Sequence, residues 1–185
     1  MPQGNEAKNP VGFSMGKDRR KQRGQALIEF MIFLPLTVIF ALSLIEVGMI
    51  FNTSQRVTNL SREAANTASR LCGEAADIKL CLQDIALPIL INSAAPETFR
   101  DFSTRGQIMI SAYYWDQDTG VLSPGVCIAG GKSSICNSRF DESSFGTLDK
   151  SLDRIFVGEC LYDYKTLMNL SFFSIPLEIY DHTIF

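Results

Sequence analysis

The longest hydrophobic stretch of the chain lies near its N-terminus, between Ala26 and Ile45, and contains a single charged residue, Glu29. An α-helix of roughly 20 apolar residues covers the hydrocarbon core of a bilayer, because each residue rises about 1.5 Å along the axis. An isolated strand would leave its backbone polar groups unpaired in lipid, whereas a helix satisfies them internally. Pro35 is compatible with such a helix, since neighbouring groups accommodate its kink. The pattern therefore predicts one membrane-spanning helix over residues 25–51.

Beyond this stretch, apolar residues recur at steps of three and four, with polar residues between them. They are Val57, Leu60, Ala64, Ala68 and Leu71. A narrow apolar stripe on a polar helix is suited to packing against a sheet or another helix. We therefore expect the helix to continue outside the membrane as far as Cys72-Gly73, where glycine favours a stop. A second, short helix is predicted over residues 77–86, ending before Pro88.

The rest of the chain shows the features of β-strands separated by turns. The predicted strands are Gln107–Trp115, Val121–Ile128, Arg154–Tyr164 and Ile175–Ile184. The turn sequence at residues 116–120 joins the first two strands into a hairpin, in which Pro124 marks an edge or a break. Residues 130–151 are rich in glycine and serine, lack a period, and are interpreted as a loop. The predicted fold class is α+β, with a long N-terminal helix that continues outside the membrane and packs on a small antiparallel sheet.

Charge is distributed unevenly on the two sides of the hydrophobic stretch. Residues 1–24 carry a net charge of +4, which leaves −7 on the remainder of a chain whose total is −3. Basic residues beside a membrane helix stay on the cytoplasmic side, so we expect a cytoplasmic N-terminus and an extracytoplasmic C-terminal part. The acidic C-terminal part is a poor partner for nucleic acid. The predicted regions are a basic leader (1–24), a transmembrane helix (25–51) and an extracytoplasmic α+β domain (52–185).

The boundary between leader and membrane helix combines a glycine, Gly24, with a carboxylate five residues later, Glu29. A charged residue inside an apolar helix costs about 2 to 3 kcal/mol at the helix centre and less near the interface, so a partner charge is expected. Cleavage after Gly24 would create an α-amino group on Gln25. This amine could pair with Glu29 of an adjacent subunit or of the same chain, and pairing would offset the desolvation of both groups. If the chain is cut there, assembly would depend on cleavage, because only the cut chain carries the charge that Glu29 requires.

Several strings of the N-terminal third resemble the TadE family of tight-adherence (Flp) pilus systems. They are Arg23-Gly24-Gln25-Ala26-Leu27-Ile28-Glu29-Phe30, Leu34-Pro35-Leu36, Ile45-Glu46-Val47-Gly48 and Ser61-Arg62-Glu63-Ala64-Ala65. A weaker similarity lies at Tyr162-Asp163-Tyr164-Lys165-Thr166-Leu167, where Thr166 stands in place of the family's usual proline.

The resemblance implies a pilin-like fold and a minor pilin-like subunit, or pseudopilin, that acts in assembly of an Flp-type pilus. It also implies cleavage by a prepilin peptidase between Gly24 and Gln25, with Glu29 as the carboxylate of the motif. The expected partners are that peptidase, other pilin or pilus-assembly subunits, and lipid of the bacterial inner membrane. The C-terminal domain would then lie in the periplasm.

Two other interpretations of the N-terminal region remain open. The chain could be a permanently anchored bitopic protein whose outer domain binds a partner, with Glu29 reaching the interface. It could also carry an ordinary secretory signal cut near Ala41-Leu42-Ser43, although the hydrophobic stretch is long for a signal peptide. Glu46 could face a neighbouring helix or the outer interface, and the interface is favoured because the sequence shows no recognisable partner.

All five cysteines follow the hydrophobic stretch, in a compartment where disulfides persist. The simplest pairing forms two local loops, Cys72–Cys81 and Cys127–Cys136, and leaves Cys160 over. Connectivity is not determined by sequence, so Cys160 could replace either partner. The spacings are too wide for a C-x₂₋₄-C zinc pair, and no metal or cofactor is expected.

No recognisable constellation of catalytic residues is present. The single histidine, His182, lies three residues from the end of the chain, and the sequence contains no nucleophile elbow, phosphate-binding loop, zinc-protease or dinucleotide motif. We therefore expect a structural or assembly protein and not an enzyme.

Overall fold

The computed structural model describes residues 18–116, 121–140, 154–166 and 177–185. Helix α1 is continuous over Asp18–Cys72, 55 residues, with Pro35 inside it. The chain divides into two compact units, Met1–Ile45 and Glu46–Phe185. Within the first unit, the apolar side chains of α1 from Leu27 to Ile45 are all exposed. A helix with this surface needs an apolar environment, as a lipid bilayer provides.

Within the second unit, α1 buries the predicted apolar stripe. Val57, Leu60, Ala64 and Ala68 are at most 2% exposed, which confirms the helical period. Leu71 was expected in this stripe, but it is exposed and Cys72 is buried in its place. The helix ends at Cys72, as predicted, and the N–H of Gly73 donates to the carbonyl of Ser69.

The second helical region runs from Ile78 to Thr98, so the prediction that it ends before Pro88 is wrong. It consists of α2 (Ile78–Cys81), α3 (Leu87–Ile89) and α4 (Ala95–Thr98), separated by π-helical turns over Leu82–Ala86 and Leu90–Ala94. Pro88 lacks an N–H and would clash with a carbonyl one turn earlier in a regular α-helix, but it stands in the first turn of α3, after a π-helical turn. Burial of Leu82, Ala86 and Leu90 holds the continued helix on the core. A short helix α5, Phe102–Arg105, follows.

Four strands form one antiparallel sheet with the order β2-β1-β3-β4. They are β1 (Gly106–Asp116), β2 (Val121–Gly131), β3 (Arg154–Tyr164) and β4 (Leu177–Ile184). The predicted α+β fold class, with a long N-terminal helix and a small antiparallel sheet, is confirmed. β2 extends to Gly131, into the start of the segment predicted as a loop. Pro124 lies on the edge strand opposite Tyr113, where the register shifts.

Different parts of the chain pack on the two faces of the sheet. One face carries Ile108, Ile110 and Phe156, which pack with α1 and the second helical region in the main core. On the other face, Tyr113, Ile155 and Val157 form a smaller cluster with Phe140 and Ile184. Residues 132–140, which we call the strap, contact this outer face and have no regular secondary structure. The predicted turn residues 117–120 and loop residues 141–151 lie outside the described part of the chain.

Two contacts bring the end of α1 and the sheet together. Gly158 faces α1 so closely that an added Cβ would lie 2.4 Å from the carbonyl oxygen of Ser61. Arg154, at the start of β3, donates from Nη1 to the carbonyls of Gly73 (2.8 Å) and Ala75 (3.3 Å) just beyond the end of α1. The side chain therefore ties the turn that follows α1 to the start of β3.

Candidate anchor and processing site

The anchor is the exposed apolar part of α1. Among the described residues, two helices, Leu27–Cys72 and Ile78–Thr98, are long and apolar enough to cross a membrane; their 18-residue apolar windows have mean hydropathies of 2.4 and 1.4. The apolar window of the first has none of its residues buried within the structure, whereas a third of the second is buried. The second helix contributes Leu82 and Leu90 to the core, so its apolar composition is explained by packing within the domain. The first helix is the candidate membrane anchor.

The structure places the candidate cleavage site inside α1, one turn before Glu29. The side-chain amide of Gln25 donates from Nε2 to Oε1 of Glu29 at 3.2 Å. Residues four apart on a helix lie on the same face, so the backbone nitrogen of Gln25 is also about one turn from the carboxylate. Two of the three predicted site residues are thus brought together by the helix itself. Gly24 is helical and adjoins them.

Glu46 is the first residue of the second unit and lies against the end of the sheet. Its side chain is half-buried, and the hydroxyl of the buried Tyr164 is its neighbour. Burial raises the pKa of Tyr164, and the nearby Glu46 carboxylate raises it further. The sequence favours the outer interface for Glu46 and shows no recognisable partner, whereas the structure places the carboxylate beside Tyr164. Tyr162 and Tyr164 alternate along β3, which places both rings on its helix-facing side and could have indicated this contact.

A second polar cluster lies at the same end of the sheet. The hydroxyl of Tyr162 donates to Oδ1 of Asp101 at 2.7 Å, and Nη1 of Arg105 donates to Oδ2 at 2.8 Å. Burial opposes ionisation of Asp101, but the hydrogen bonds from Tyr162 and Arg105 and the charge of Arg105 lower its pKa below the usual value. Burial and the hydrogen bond to Asp101 raise the pKa of Tyr162 to about 12. The guanidinium of Arg105 also lies 5.2 Å from the centre of the Tyr162 ring. The cluster joins the start of α5 to β3.

The cysteines pair as the two local loops. Cys72 bonds to Cys81 and Cys127 to Cys136, with Cα–Cα separations of 5.7 and 6.0 Å, within the range that disulfides span. Cys160 is a buried free thiol on the helix-facing side of β3, and burial raises its pKa far above the usual value. Cys127 lies on the opposite face of the sheet, since its partner in the register is Ser111. Cys160 therefore cannot replace Cys136 as its partner.

The outer face of the sheet contains a carboxylate that the sequence analysis did not single out. Glu159 on β3 is fully buried, and its Oε1 accepts from the hydroxyl of Tyr180 (2.7 Å) and the backbone N–H of Arg139 (3.2 Å). Its other oxygen, Oε2, is buried and has no hydrogen-bond partner among the described residues. Strand alternation alone would place Glu159 on a polar surface, but the strap and Tyr180 of β4 contact it there.

No set of three histidine, cysteine or acidic side chains in the described ranges is arranged to hold a metal ion. His182 lies on β4 opposite Glu159 in the β3–β4 register. Its ring contacts Phe140 edge-on at 5.2 Å and stacks on Tyr180 at 5.9 Å. These contacts pack the strap onto the sheet.

The comparison with protein families agrees with the resemblance seen in the sequence. A family model described as TadE-like protein matches residues 24–66, which include Gly24, Gln25 and Glu29 and continue into the buried stripe of α1. The matched segment lies within α1 and covers less than a quarter of the chain, so it shows a likeness of this helix to that family. A search of curated proteins and a search of solved structures each returned no match.

Proposed function

We propose that this chain is a minor pilin-like subunit, a pseudopilin, which acts in assembly of a tight-adherence (Flp-type) pilus. The single observation that carries the proposal is the family match at residues 24–66, which coincides with a helix whose apolar side chains from Leu27 to Ile45 are exposed in the described part of the chain. The α+β unit at Glu46–Phe185 is the part that would remain outside the cytoplasm. The subunit would be inserted in the inner membrane with its N-terminus in the cytoplasm, because the leader is basic.

Leader removal supplies the proposed mechanism of activation. A prepilin peptidase would cut between Gly24 and Gln25 and release the basic leader that ends at Gly24. The new α-ammonium group would then stand about one turn from Glu29, where the Gln25 amide already reaches the carboxylate. An ammonium–carboxylate pair is favourable in an apolar environment only when the two groups are in contact, so an adjacent subunit that completes the pair would be selected during assembly. Uncut chains would lack this charge.

The proposal is tested by intact-mass spectrometry of the protein extracted from membranes of its native host. We expect a mature chain that starts at Gln25, and we expect Gly24→Ala to leave the leader attached. Glu29→Ala should be cut normally but should lower recovery of the subunit in pilus or pilus-assembly fractions by tenfold or more, a change corresponding to about 1.4 kcal/mol. Glu63→Ala is the matched control, because Glu63 is an exposed glutamate on the same helix.

The same measurement distinguishes the alternative functions. A wild-type chain that keeps its leader supports a permanently anchored bitopic protein with a partner-binding outer domain. A chain that starts near Leu44 identifies a secreted protein. Normal assembly of the Glu29→Ala variant would contradict the pairing mechanism while leaving the cleavage step intact.

A further inference from the structure

The two disulfides of the outer domain differ in their exposure. Cys72 and Cys81 are 0% and 7% exposed and belong to the main core. Cys127 is exposed and Cys136 is half-buried, on the outer face of the sheet and on the strap. Because thiol–disulfide exchange requires a thiolate to reach one of the sulfurs, exposed disulfides are the labile ones. The loops have the same sequence separation of nine residues, so loop length does not distinguish them.

One sulfur of the exposed disulfide accepts a hydrogen bond from a hydroxyl group. Oγ of Ser111, a residue only 3% exposed, donates to Sγ of Cys127 at 3.1 Å. A hydrogen bond to a thiolate favours its charged form, and a better-stabilised thiolate leaves faster in exchange. Ser111 therefore makes Cys127 the preferred leaving group and directs an incoming thiolate to Cys136.

The exposed disulfide tethers the strap, which covers the buried carboxylate Glu159. Cys136 lies on the strap, and three residues later the backbone N–H of Arg139 donates to Glu159. Ion pairs join the strap to the sheet at Lys132–Asp163 and Arg139–Glu178. While the strap lies on the sheet, Oε2 of Glu159 is buried and has no hydrogen-bond partner among the described residues. A buried carboxylate oxygen without a hydrogen bond is unfavourable. Water could solvate that oxygen if the strap lifted, so the disulfide holds the closed state against this tendency.

Beneath the strap is a cavity of about 140 Å³. Its lining includes Lys132, Asn137 and Arg139 from the strap and Met109, Leu161 and Glu178 from the sheet. Met109 is the register partner of Glu159 on β1, and Leu161 lies two residues along the same strand. Lifting the strap would therefore join this cavity to the carboxylate.

We propose that Cys127–Cys136 is the redox-labile disulfide of this protein and acts as a latch, so that its reduction releases the strap and exposes Glu159. The reductant is a dithiol, which supplies two electrons and two protons. One of its thiolates attacks Sγ of Cys136, the Sγ–Sγ bond breaks, and Cys127 leaves as a thiolate beside Ser111 and takes up a proton. The second thiol of the reductant then attacks the mixed disulfide, releases Cys136 as a thiol and closes the disulfide of the reductant. Cys72–Cys81 stays oxidised because its sulfurs lie in the core.

The first test follows reduction of the oxidised full-length protein in detergent with dithiothreitol. Samples are quenched in acid, denatured, alkylated and mapped by mass spectrometry, with Cys160 as an internal reference that is alkylated at time zero. We expect Cys127 and Cys136 to become alkylated at least ten times faster than Cys72 and Cys81. Equal rates, or the reverse order, would overturn the assignment of the labile bond.

The role of Ser111 is tested in the same assay. Ser111→Ala should slow reduction of Cys127–Cys136 by roughly two- to tenfold, the effect of losing one hydrogen bond. Ser123→Ala, an exposed position on the strand that carries Cys127, is the control and should leave the rate unchanged. An unaltered rate in Ser111→Ala would remove Ser111 from the mechanism.

The latch is tested by amide hydrogen exchange of the strap. The exchange rate of the Arg139 amide should rise roughly ten- to a hundredfold when Cys127–Cys136 is reduced, as the tether of a short loop is lost. The double substitution Cys127→Ser with Cys136→Ser should give the same result, and briefly reduced wild-type protein makes the test independent of how that variant folds. Oxidised wild-type protein with Cys72–Cys81 intact is the reference for both. A protected Arg139 amide in the reduced protein would refute the latch.

Discussion

The close approach of α1 to the sheet at Gly158 makes the sharpest prediction about the folded domain. A Cβ added at Gly158 would lie 2.4 Å from the carbonyl oxygen of Ser61, 2.6 Å from the backbone nitrogen of Ala65 and 3.1 Å from Cβ of Ala64. Two of these neighbours are backbone atoms, so a side-chain rotation cannot relieve the overlap. Gly158→Ala therefore requires α1 to move away from β3 by about 1 Å, since carbon–oxygen contacts are usually about 3.3 Å or longer.

The cost of that movement can be worked from the packing. A gap of 0.5–1 Å removes about a quarter to a half of the dispersion energy of each contact it opens, and overpacking of cores costs typically 1–3 kcal/mol. The gain from replacing glycine by alanine within a strand offsets about 0.5–1 kcal/mol of this loss. We expect a net loss of about 1 kcal/mol in the free energy of unfolding. For a domain of this size that loss lowers the Tm by roughly 2–4 °C.

The assay is thermal unfolding of the full-length protein in detergent, followed by near-ultraviolet circular dichroism. Two glycine-to-alanine variants serve as controls. At Gly48, on the same helix, an added Cβ meets nothing within 4 Å, so Gly48→Ala should not lower the Tm. At Gly130 the nearest atom is the terminal methyl group of Ile91, at 2.2 Å, which can rotate away, so the loss should be smaller than at Gly158. A Gly158→Ala protein with the Tm of the Gly48→Ala protein would show that α1 and β3 are not in backbone contact.

Two further predictions concern groups at the two ends of the sheet. Tyr162 has a pKa raised to about 12 in the folded protein against 10.0 for a free tyrosine, so its contribution to stability is complete below pH 10 and is lost as the pH rises toward 12. Tyr162→Phe should therefore flatten the fall of stability between pH 10 and 12, measured by denaturant unfolding. It should also remove one late step from the tyrosinate absorbance titration, and an unchanged titration would contradict the Asp101 contact. Arg154→Ala should lower the free energy of unfolding by about 1–3 kcal/mol, because the carbonyls of Gly73 and Ala75 lose a charged donor. Arg154→Lys should restore part of this loss, and equal stability of the alanine variant and wild type in urea titration would refute a stabilising role of these two hydrogen bonds.

Local pattern was sufficient to predict the elements whose identity depends on their own residues. The apolar period of α1 predicts a buried face at Val57, Leu60, Ala64 and Ala68, and the structure confirms it. The four strands follow from β-branched and aromatic runs between turn residues, and β3 has the predicted bounds. The end of α1 at Cys72 follows from the glycine after it. The arrangement of the candidate site Gly24, Gln25 and Glu29 also follows from local pattern, because helical spacing alone sets the distance between these residues.

The remaining features depend on contacts between segments that are distant in sequence, and the local pattern carries no information about them. Pro88 predicts a helix end, but burial of Leu82 and Leu90 against the sheet outweighs the missing hydrogen bond, and π-helical turns accommodate the ring. Either Leu71 or Cys72 could take the last buried position of the apolar stripe on α1. Cys72 is the buried residue, and it is bonded to Cys81.

The anchor, its neighbouring carboxylate and the α+β class were thus determined by sequence, since helix period, hydropathy and strand alternation are properties of short segments. The partner of Glu46, the burial of Glu159 and the isolation of Cys160 were decided only by the tertiary structure. In each case the deciding contact comes from another part of the chain: Tyr164 beside Glu46, the strap over Glu159, and the helix-facing side of β3 around Cys160. The free energy of burying a polar group depends on these neighbours and not on the group's own position in the sequence.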